Sequence, residues 1–383
     1  MPPPLRLAAF NVENLFERAR ALELADPRET RTLLEAHAGA NAILRKPAYS
    51  AADLRRLDGF LAALGLDAGD ESRFARLRQN RGGLRARRGG RLAYVATGRA
   101  DWIGWVELVA GPVEAAATDN TARVVGLLGA DVLAVVEAES RPALRRFSDF
   151  TLPRVGAEPY DAAMLVDGND DRGIDVGLMT RGPGRAIRSL ASHVDDRETP
   201  GGPRIFSRDL AEYEVALPGA DDDAALWVLV NHFKSRRNSG PGSARESDAK
   251  RLAQARRTRE VADARLASHG PYVAVVGDLN DLPDSAPLAP LLADGAWRDV
   301  SGHPNRDPSD PRIGTFGNGA PSQKIDYILL SPALWGRVAA TGVERRGVWG
   351  GKNGDLFPRL PEITRPSEAA SDHAAIWCDL DLP

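Results

Sequence analysis

Residues 272–285 read YVAVVGDLNDLPDS: a run of apolar, mostly β-branched side chains from Tyr272 to Val276 stops at Gly277, and Asp278 and Asn280 follow two residues apart. A short valine-rich run bounded by Gly, Asp, Asn and Pro marks a buried strand. In a strand, residues i and i+2 face the same side, so a strand that persists to Asn280 would aim a carboxylate and an amide into one cleft. Asp278 can accept a proton, and Asn280 can both donate and accept hydrogen bonds, a pair suited to an attacking water beside a phosphate. Asp-x-Asn after an apolar run is also an ordinary turn signal. The stretch alone therefore marks a strand end and leaves its function open.

The same kind of ending recurs along the chain. LRLAAFN stops at Asn11, ADVLAVVE at Glu137 and ALWVLVNH at His232, while SDH sets Asp372 and His373 ahead of the last apolar run, HAAIWCDLDL. GIDVGLMT and KIDYILL complete the set of predicted strands. One such ending means little, but several converging at one sheet edge would build a polar pocket. Charge gathered there is costly to desolvate unless a cation compensates it, and a divalent metal ion is the natural compensator. Helical character lies at 120–130, ending on Gly129, and at 248–268, where Leu252, Ala255, Ala262 and Leu266 share one face. Strands and helices alternate early, and later strands follow one another through loops. That order predicts a layered α/β domain with mixed sheets and disfavours a purely parallel one.

The chain of 383 residues is 43% hydrophobic, enough to bury a large core. Cys378 is the single cysteine, so an intramolecular disulfide and a cysteine-based structural zinc site are both excluded. MPPPLRLAAFN lacks a basic region followed by a long apolar run, and no apolar segment approaches bilayer-spanning length. These features predict a protein of a reducing cytoplasm. A net charge of −3 argues against a protein coated all over with nucleic acid, yet two stretches are locally basic. Residues 76–91 carry seven arginines and no acid, and 234–259 carry nine Lys or Arg against Glu246 and Asp248. Each is either a phosphate-contacting surface or a solvated loop or helix face. Residues from about Glu17 to Ala117 read as an insertion: helix-like sequence rich in Ala, Leu and Arg, then the Gly- and Arg-rich 81–91, then a strand pair around Thr97 to Asp101. Two tryptophans, Trp102 and Trp105, fall in DWIGWVEL (101–108) at its end.

FNVEN, VVEAES, NHFKS, GDLNDLPDS, KIDYILLS and SDHAAI stand in the order found in the endonuclease/exonuclease/phosphatase (DNase I-like) superfamily, which this sequence resembles. That group includes nucleases, apurinic endonucleases, sphingomyelinases and inositol polyphosphate 5-phosphatases. The resemblance covers both ends of the chain and most of 118–383, and it omits the insertion. It implies one domain over 1–383 interrupted at about 17–117. The implied architecture is a four-layer α/β sandwich of two packed mixed β-sheets flanked by helices. It also implies phosphoester hydrolysis with Mg²⁺, or with Mn²⁺ or Ca²⁺ in its place.

Carried over by motif, the resemblance makes Glu137 the main metal ligand, with Asn11 beside it and Asp372 near the ion; Glu139 is the competing carboxylate. It makes Asp278 the group that orients or deprotonates the attacking water and Asn280 the holder of a phosphate oxygen. His373 becomes an imidazole oriented by Asp326, and His232 the group that stabilises the phosphorane, with Asp175 as its orienting carboxylate. Asn231, Lys234 and Arg208 are candidate phosphate contacts, whereas His37, His193, His269 and His303 lie in no motif. Two departures stand out: the long segment after FNVENLF, expected to cap the cleft and narrow substrate choice, and Val136 where the family often has Gln before the Glu. The implied substrate carries phosphate, with nucleic acid favoured through a phosphodiesterase or nuclease activity. The alternatives are a small-molecule or lipid phosphatase of the sphingomyelinase or inositol-phosphate type, and a catalytically silent binding scaffold.

Overall fold

The computed structural model describes residues 3–15, 27–89, 91–109, 115–170, 173–182, 184–217, 224–236 and 243–382. In chain order it forms β1 (Leu5–Leu15), the helices α1 (Pro27–Leu44) and α2 (Ala51–Ala63), and the strands β2 (Ala75–Arg81), β3 (Arg85–Arg88), β4 (Arg91–Tyr94) and β5 (Ile103–Leu108). There follow α3 (Ala115–Leu128), β6 (Val132–Ala138), α4 (Arg141–Arg146), α5 (Leu152–Arg154), β7 (Ala162–Leu165), β8 (Asp175–Thr180), β9 (Ile187–Ser192), β10 (Leu210–Ala216) and β11 (Ala225–His232). The chain continues through α6 (Ser243–Ser268), β12 (Val273–Asp278), β13 (Arg298–Asp299), β14 (Asp326–Leu330), β15 (Val338–Glu344) and β16 (Ala375–Leu380). Each run marked as a strand in the sequence forms one.

Two compact units result, one from residues 1–15 with 113–383 and the other from residues 16–112. In the first, two six-stranded sheets have the orders β15-β16-β1-β6-β8-β7 and β13-β14-β12-β11-β10-β9. Pairs β1–β6 and β11–β12 are parallel and their neighbours antiparallel, so both sheets are mixed. Strand alternation explains the stacking. Leu7 and Ala9 of β1, Val132 to Val136 by twos, Val228 and Val230, Ala274 and Val276, and Ile328 and Leu330 all meet in one core between the sheets. The opposite rows face helices: Ala8, Phe10, Leu133 and Val135 pack with Val124, Val125 and Leu128 of α3. Trp227, Leu229, Val273 and Val275 pack with Ala255 and Ala262 of α6. The product is a four-layer α/β sandwich, in which each buried Val, Leu or Ile contributes about 1.5–3 kcal/mol.

Helix α6 buries a more polar row than its leucine spacing suggests. Ala255 and Ala262 are buried as expected, but Leu252 and Leu266 are only partly so, and Arg251, Gln254 and Thr258 take the inner positions. The reason is what lies beneath them. Arg251 Nε donates to Asp281 Oδ2 at 2.8 Å, Gln254 Oε1 accepts the Lys234 amide at 2.9 Å, and Thr258 Oγ1 donates to Asn231 Oδ1 at 3.0 Å. Three more of its arginines are engaged: Arg257 pairs with Asp196, Arg259 with Asp263 and Asp294, and Arg265 with Glu212. Carboxylates thus neutralise part of the basic stretch 234–259. No helix among the described residues is long and apolar enough to cross a membrane.

The unit 16–112 has its own core, built from Leu33, Ala36, Ala40 and Ile43 of α1, Leu57 and Leu61 of α2, and Leu77, Trp102 and Val106. Ser50 caps α2 reciprocally with Asp53, the capping-box arrangement that satisfies two orphan amides. The strands flanking Thr97 to Asp101 do not pair with each other as the sequence suggests. Instead β4 pairs with β3 and β5 with β2, because the arginine-rich run itself supplies two strands. Residues 97–101 form a turn in which the Asp101 carboxylate accepts the amides of Thr97 and Gly98.

Candidate active site

The rows that build the inter-sheet core end in polar groups at one edge. Leu7 and Ala9 lead to Asn11, Val228 and Val230 to His232, and Ala274 and Val276 to Asp278. His232 pairs with Asp278 in the β11–β12 register, and Asp278 pairs with Asp326, the first residue of antiparallel β14. Around this edge lies a cleft of about 710 Å³ lined by Glu13, Glu137, His232, Asp278, Asn280, Asp372 and His373, with Arg208, Lys234 and Arg236 also contributing.

Backbone strain is concentrated here. Among the described residues, the non-glycine positions with positive φ are Glu13 (48°), Glu137 (70°) and Asn280 (53°), and all three line the cleft. A left-handed conformation costs an L-residue about 1–2 kcal/mol, so such strain is retained where surrounding structure imposes it, often at functional sites. Regular alternation would send Glu137 to the helix face with Leu133 and Val135. A bulge at Glu137 breaks the register between Val136 and Ala138, so Ala138 takes the helix-side place and Glu137 turns to the cleft.

Gly277 performs a related task in GDLN. Its φ is 119°, and a Cβ there would lie 2.1 Å from the Asn231 carbonyl oxygen. The strand stops at Asp278, so Asn280 reaches the cleft through a left-handed turn and not by strand persistence. That turn closes on Asp278, whose Oδ1 accepts the Asn280 amide at 2.8 Å and whose Oδ2 accepts Asn280 Nδ2 at 3.1 Å. Gly277→Ala is expected to destabilise the fold by about 3 kcal/mol, read as a lowered urea midpoint at unchanged slope.

A polar network joins the strand ends. Asn11 Nδ2 donates to Asp278 Oδ2 at 3.2 Å and to Glu137 Oε1 at 3.4 Å, and lies 3.5 Å from His373 Nε2. His373 Nδ1 meets Asp326 Oδ2 at 2.9 Å, and its Nε2 is 3.6 Å from Asp372 Oδ1. His232 Nε2 stands 3.8 Å from both Glu137 Oε1 and Asp278 Oδ2. Ser371 ties the SDH segment to β1 by donating to the Asn11 carbonyl at 2.7 Å while accepting the His373 amide at 2.9 Å.

Burial, reinforced by Asp326, pushes the Asp278 carboxyl up to about 7. Burial likewise raises Glu137, and burial with Asp372 nearby raises Glu13 to about 7. For His373, burial acts to lower the pKa, but Asp326, Asp278 and Asp372 outweigh it and lift the imidazole to about 10. The carboxylates thus outnumber the compensating charge around them. Hard carboxylate and amide oxygens beside imidazole suit a divalent cation. Asp278, Asp326 and His373 also offer ligand atoms within 4.8 Å of one another, an acidic and histidine group able to hold a metal.

Of the residues singled out in the sequence, Asn11, Glu137, His232, Asp278, Asn280, Asp326, Asp372 and His373 come together. Lys234 and Arg208 line the same cleft; Arg208 is buried, pairing with Asp170 at 3.1 Å and donating to the Phe233 carbonyl at 3.2 Å. Asn231 is not brought in. Its parity matches Trp227 and Leu229, so it faces α6, bonded to Thr258, with Nδ2 donating to the Leu229 carbonyl. Asp175 lies off the cleft lining and accepts the Gly168 amide at 2.9 Å, and burial raises its carboxyl to about 7. Glu139 is also off the lining. Glu13 is the residue that the strand-end reading misses: it follows Asn11 by two, and its Oε2 accepts the Asp372 amide at 2.8 Å. The same i, i+2 polar spacing that marks Asp278 and Asn280 was present in FNVE.

A sequence model described as the Endonuclease/Exonuclease/phosphatase family matches residues 110–373. No curated protein matches the sequence. Among solved structures, the chain is similar to an endonuclease/exonuclease/phosphatase family protein from Bacteroides thetaiotaomicron, at 16% identity over 69% of this chain and 85% of that one with a TM-score of 0.49. It is also similar to a mannosyl-6-phosphatase from Bacteroides thetaiotaomicron VPI-5482, at 17% identity over 69% and 90% with a TM-score of 0.48. A third is truncated Caenorhabditis elegans TDP2, at 15% identity over 69% and 89% with a TM-score of 0.45.

Proposed function

As a member of the endonuclease/exonuclease/phosphatase family this chain is a phosphoester hydrolase, and we propose that it is a divalent-metal-dependent phosphodiesterase with nucleic acid as its substrate class. The observation that carries this reading is the meeting of Asp278 with the His373–Asp326 pair across Asn11, at an edge where cationic side chains line the same cleft. Glu137, with Asn11 and Asp372, would hold Mg²⁺, or Mn²⁺ or Ca²⁺, and the bound ion would supply neutralisation of charge on the phosphate oxygens.

Water attacks phosphorus in line with the leaving oxygen. Asp278, fixed by the Asn280 amide on Oδ1, orients the water and accepts its proton as the new P–O bond forms. His373, held cationic by Asp326, and Asn280 stabilise the equatorial oxygens. His232, whose Nε2 stands 3.8 Å from both Glu137 and Asp278, donates a proton to the leaving oxygen as the old P–O bond breaks. Arg208 and Lys234 offset phosphate charge from the cleft wall. No covalent enzyme intermediate is needed.

The test is hydrolysis of bis(p-nitrophenyl) phosphate, p-nitrophenyl phosphate and single-stranded DNA, with Mg²⁺ and with EDTA. Diester and DNA turnover that EDTA abolishes is expected; a preference for the monoester overturns the phosphodiesterase assignment. Asp326→Asn gives a sharper check. Without the Asp326 charge the His373 pKa, followed by NMR, falls from about 10 towards or below its ordinary value, and turnover at pH 8 drops about 10²-fold. The pair stabilises the fold fully below the unfolded imidazole pKa of about 6.5, and that contribution is lost as pH rises through about 10. The variant therefore melts lower than the parent at neutral pH, and the difference closes in alkali.

A further inference from the structure

The unit 16–112 differs from the rest of the chain in charge. It carries 17 Lys and Arg against 12 Asp and Glu, while the remaining sequence carries 33 against 41, so a chain of net −3 contains a segment of net +5. Nine of its arginines lie between residues 72 and 100, where there is no acid. Several of these lack a carboxylate: among the described residues Arg73, Arg81, Arg88 and Arg99 have none within ion-pairing distance.

The β2–β5 ribbon sorts its two faces by strand alternation. Ala75, Leu77 and Val106 point into the core, while Arg76, Arg78, Trp105 and Glu107 point out. In the ladder Arg78 stands opposite Trp105, Arg76 opposite Glu107 and Arg81 opposite Ile103. The two tryptophans of DWIGWVEL have opposite fates. Trp102 is fully buried with its Nε1 donating to Gln79, whereas Trp105 is 47% exposed. Arg76 pairs with Glu71 at 2.9 Å and Arg78 with Glu107 at 2.6 Å, but these are exposed pairs of the kind that contribute little and can exchange for phosphate.

We propose that the outer face of the β2–β5 ribbon binds single-stranded nucleic acid, with Trp105 stacking on an unpaired base and Arg76, Arg78 and Arg81 contacting the flanking phosphates. An exposed indole set among guanidiniums on a two-stranded ribbon is the combination that single strands use: every base has a π-face to stack, and the backbone repeats its charge at short intervals. A lipid surface is less well matched. Among the described residues of the unit, Val95 is the other exposed large apolar side chain, so none of them forms an apolar cluster with Trp105, and Glu107 on the same face opposes an anionic headgroup layer. The proposal does not depend on the catalytic reading, since none of these residues belongs to the cleft.

The experiment is fluorescence anisotropy of a labelled oligothymidylate of about 20 nucleotides with the full-length protein in EDTA. Trp105→Ala is expected to weaken binding about tenfold and Trp105→Phe to retain most of it. The double variant Arg76→Gln/Arg78→Gln is expected to flatten the dependence of log Kd on log salt by about 1.4. A duplex of equal length should bind less tightly than the single strand. Hydrolysis of bis(p-nitrophenyl) phosphate should be unchanged in Trp105→Ala. Oligothymidylate affinity that ignores Trp105, or a Trp105-dependent affinity for phosphatidylserine vesicles in place of the oligonucleotide, overturns the proposal. Absent hydrolysis with Trp105-dependent binding would defeat the catalytic reading alone; intact hydrolysis with Trp105-independent binding would defeat this one alone.

Discussion

Replacing Asp278 with asparagine is expected to lower kcat on bis(p-nitrophenyl) phosphate by about 10³-fold or more while moving the melting temperature by only a few degrees. The change is isosteric, so Oδ1 can still accept the Asn280 amide, but the group proposed to take the proton from water is gone. Two stability terms oppose each other. Asparagine removes a buried carboxylate whose pKa burial raises to about 7. It also turns an NH₂ towards the Asn11 and Asn280 amides that now donate to Oδ2. The pH dependence separates them. An acid with a raised folded pKa makes the native state bind more protons than the unfolded one, so the parent loses stability as pH climbs from about 4 towards about 7. The variant lacks that slope. Turnover close to the parent's would remove Asp278 from the chemistry.

Glu137 allows a prediction in which activity and stability move in opposite directions. Glu137→Gln and Glu137→Gly are both expected to lose about 10³-fold or more in turnover and to weaken Mn²⁺ binding at least tenfold by calorimetry, because the carboxylate proposed to hold the ion is lost. Only the glycine variant also relieves the left-handed backbone at φ 70°. It is expected to be more stable than Glu137→Gln by about 1 kcal/mol in urea. Equal stability of the two would mean the bulge at β6 is unstrained, and undiminished Mn²⁺ binding in both would place the ion elsewhere.

Much of this architecture could be read from the chain because buried strands alternate strictly. Once the apolar runs are aligned, the parity of Leu7, Val230 and Val276 puts Asn11, His232 and Asp278 on one side of their sheets, and the family motifs name the same residues. The same parity would have removed Asn231 from the candidates, since it shares the face of Trp227 and Leu229. Glu137 breaks the rule: alternation sends it to the helices, and only a bulge, which leaves no mark in VVEAES, returns it to the cleft. Glu13 was missed because its partner is the Asp372 amide, contributed 359 residues away. The α6 face misled because leucine spacing cannot report that Asp281, Asn231 and Lys234 lie beneath the helix and need hydrogen-bonding partners. In the insertion the composition gave helices and strands, but pairing depends on which edges compete, and the arginine-rich segment won them.

Asn11, His232 and Asp278 are the last members of rows whose earlier members are locked in hydrocarbon between the sheets. Their positions are therefore inherited from the interior, and a residue such as Val276 helps to place Asp278 through the strand they share. A library of conservative interior swaps in these rows is therefore expected to shift the geometry of the cleft without touching a single group that lines it.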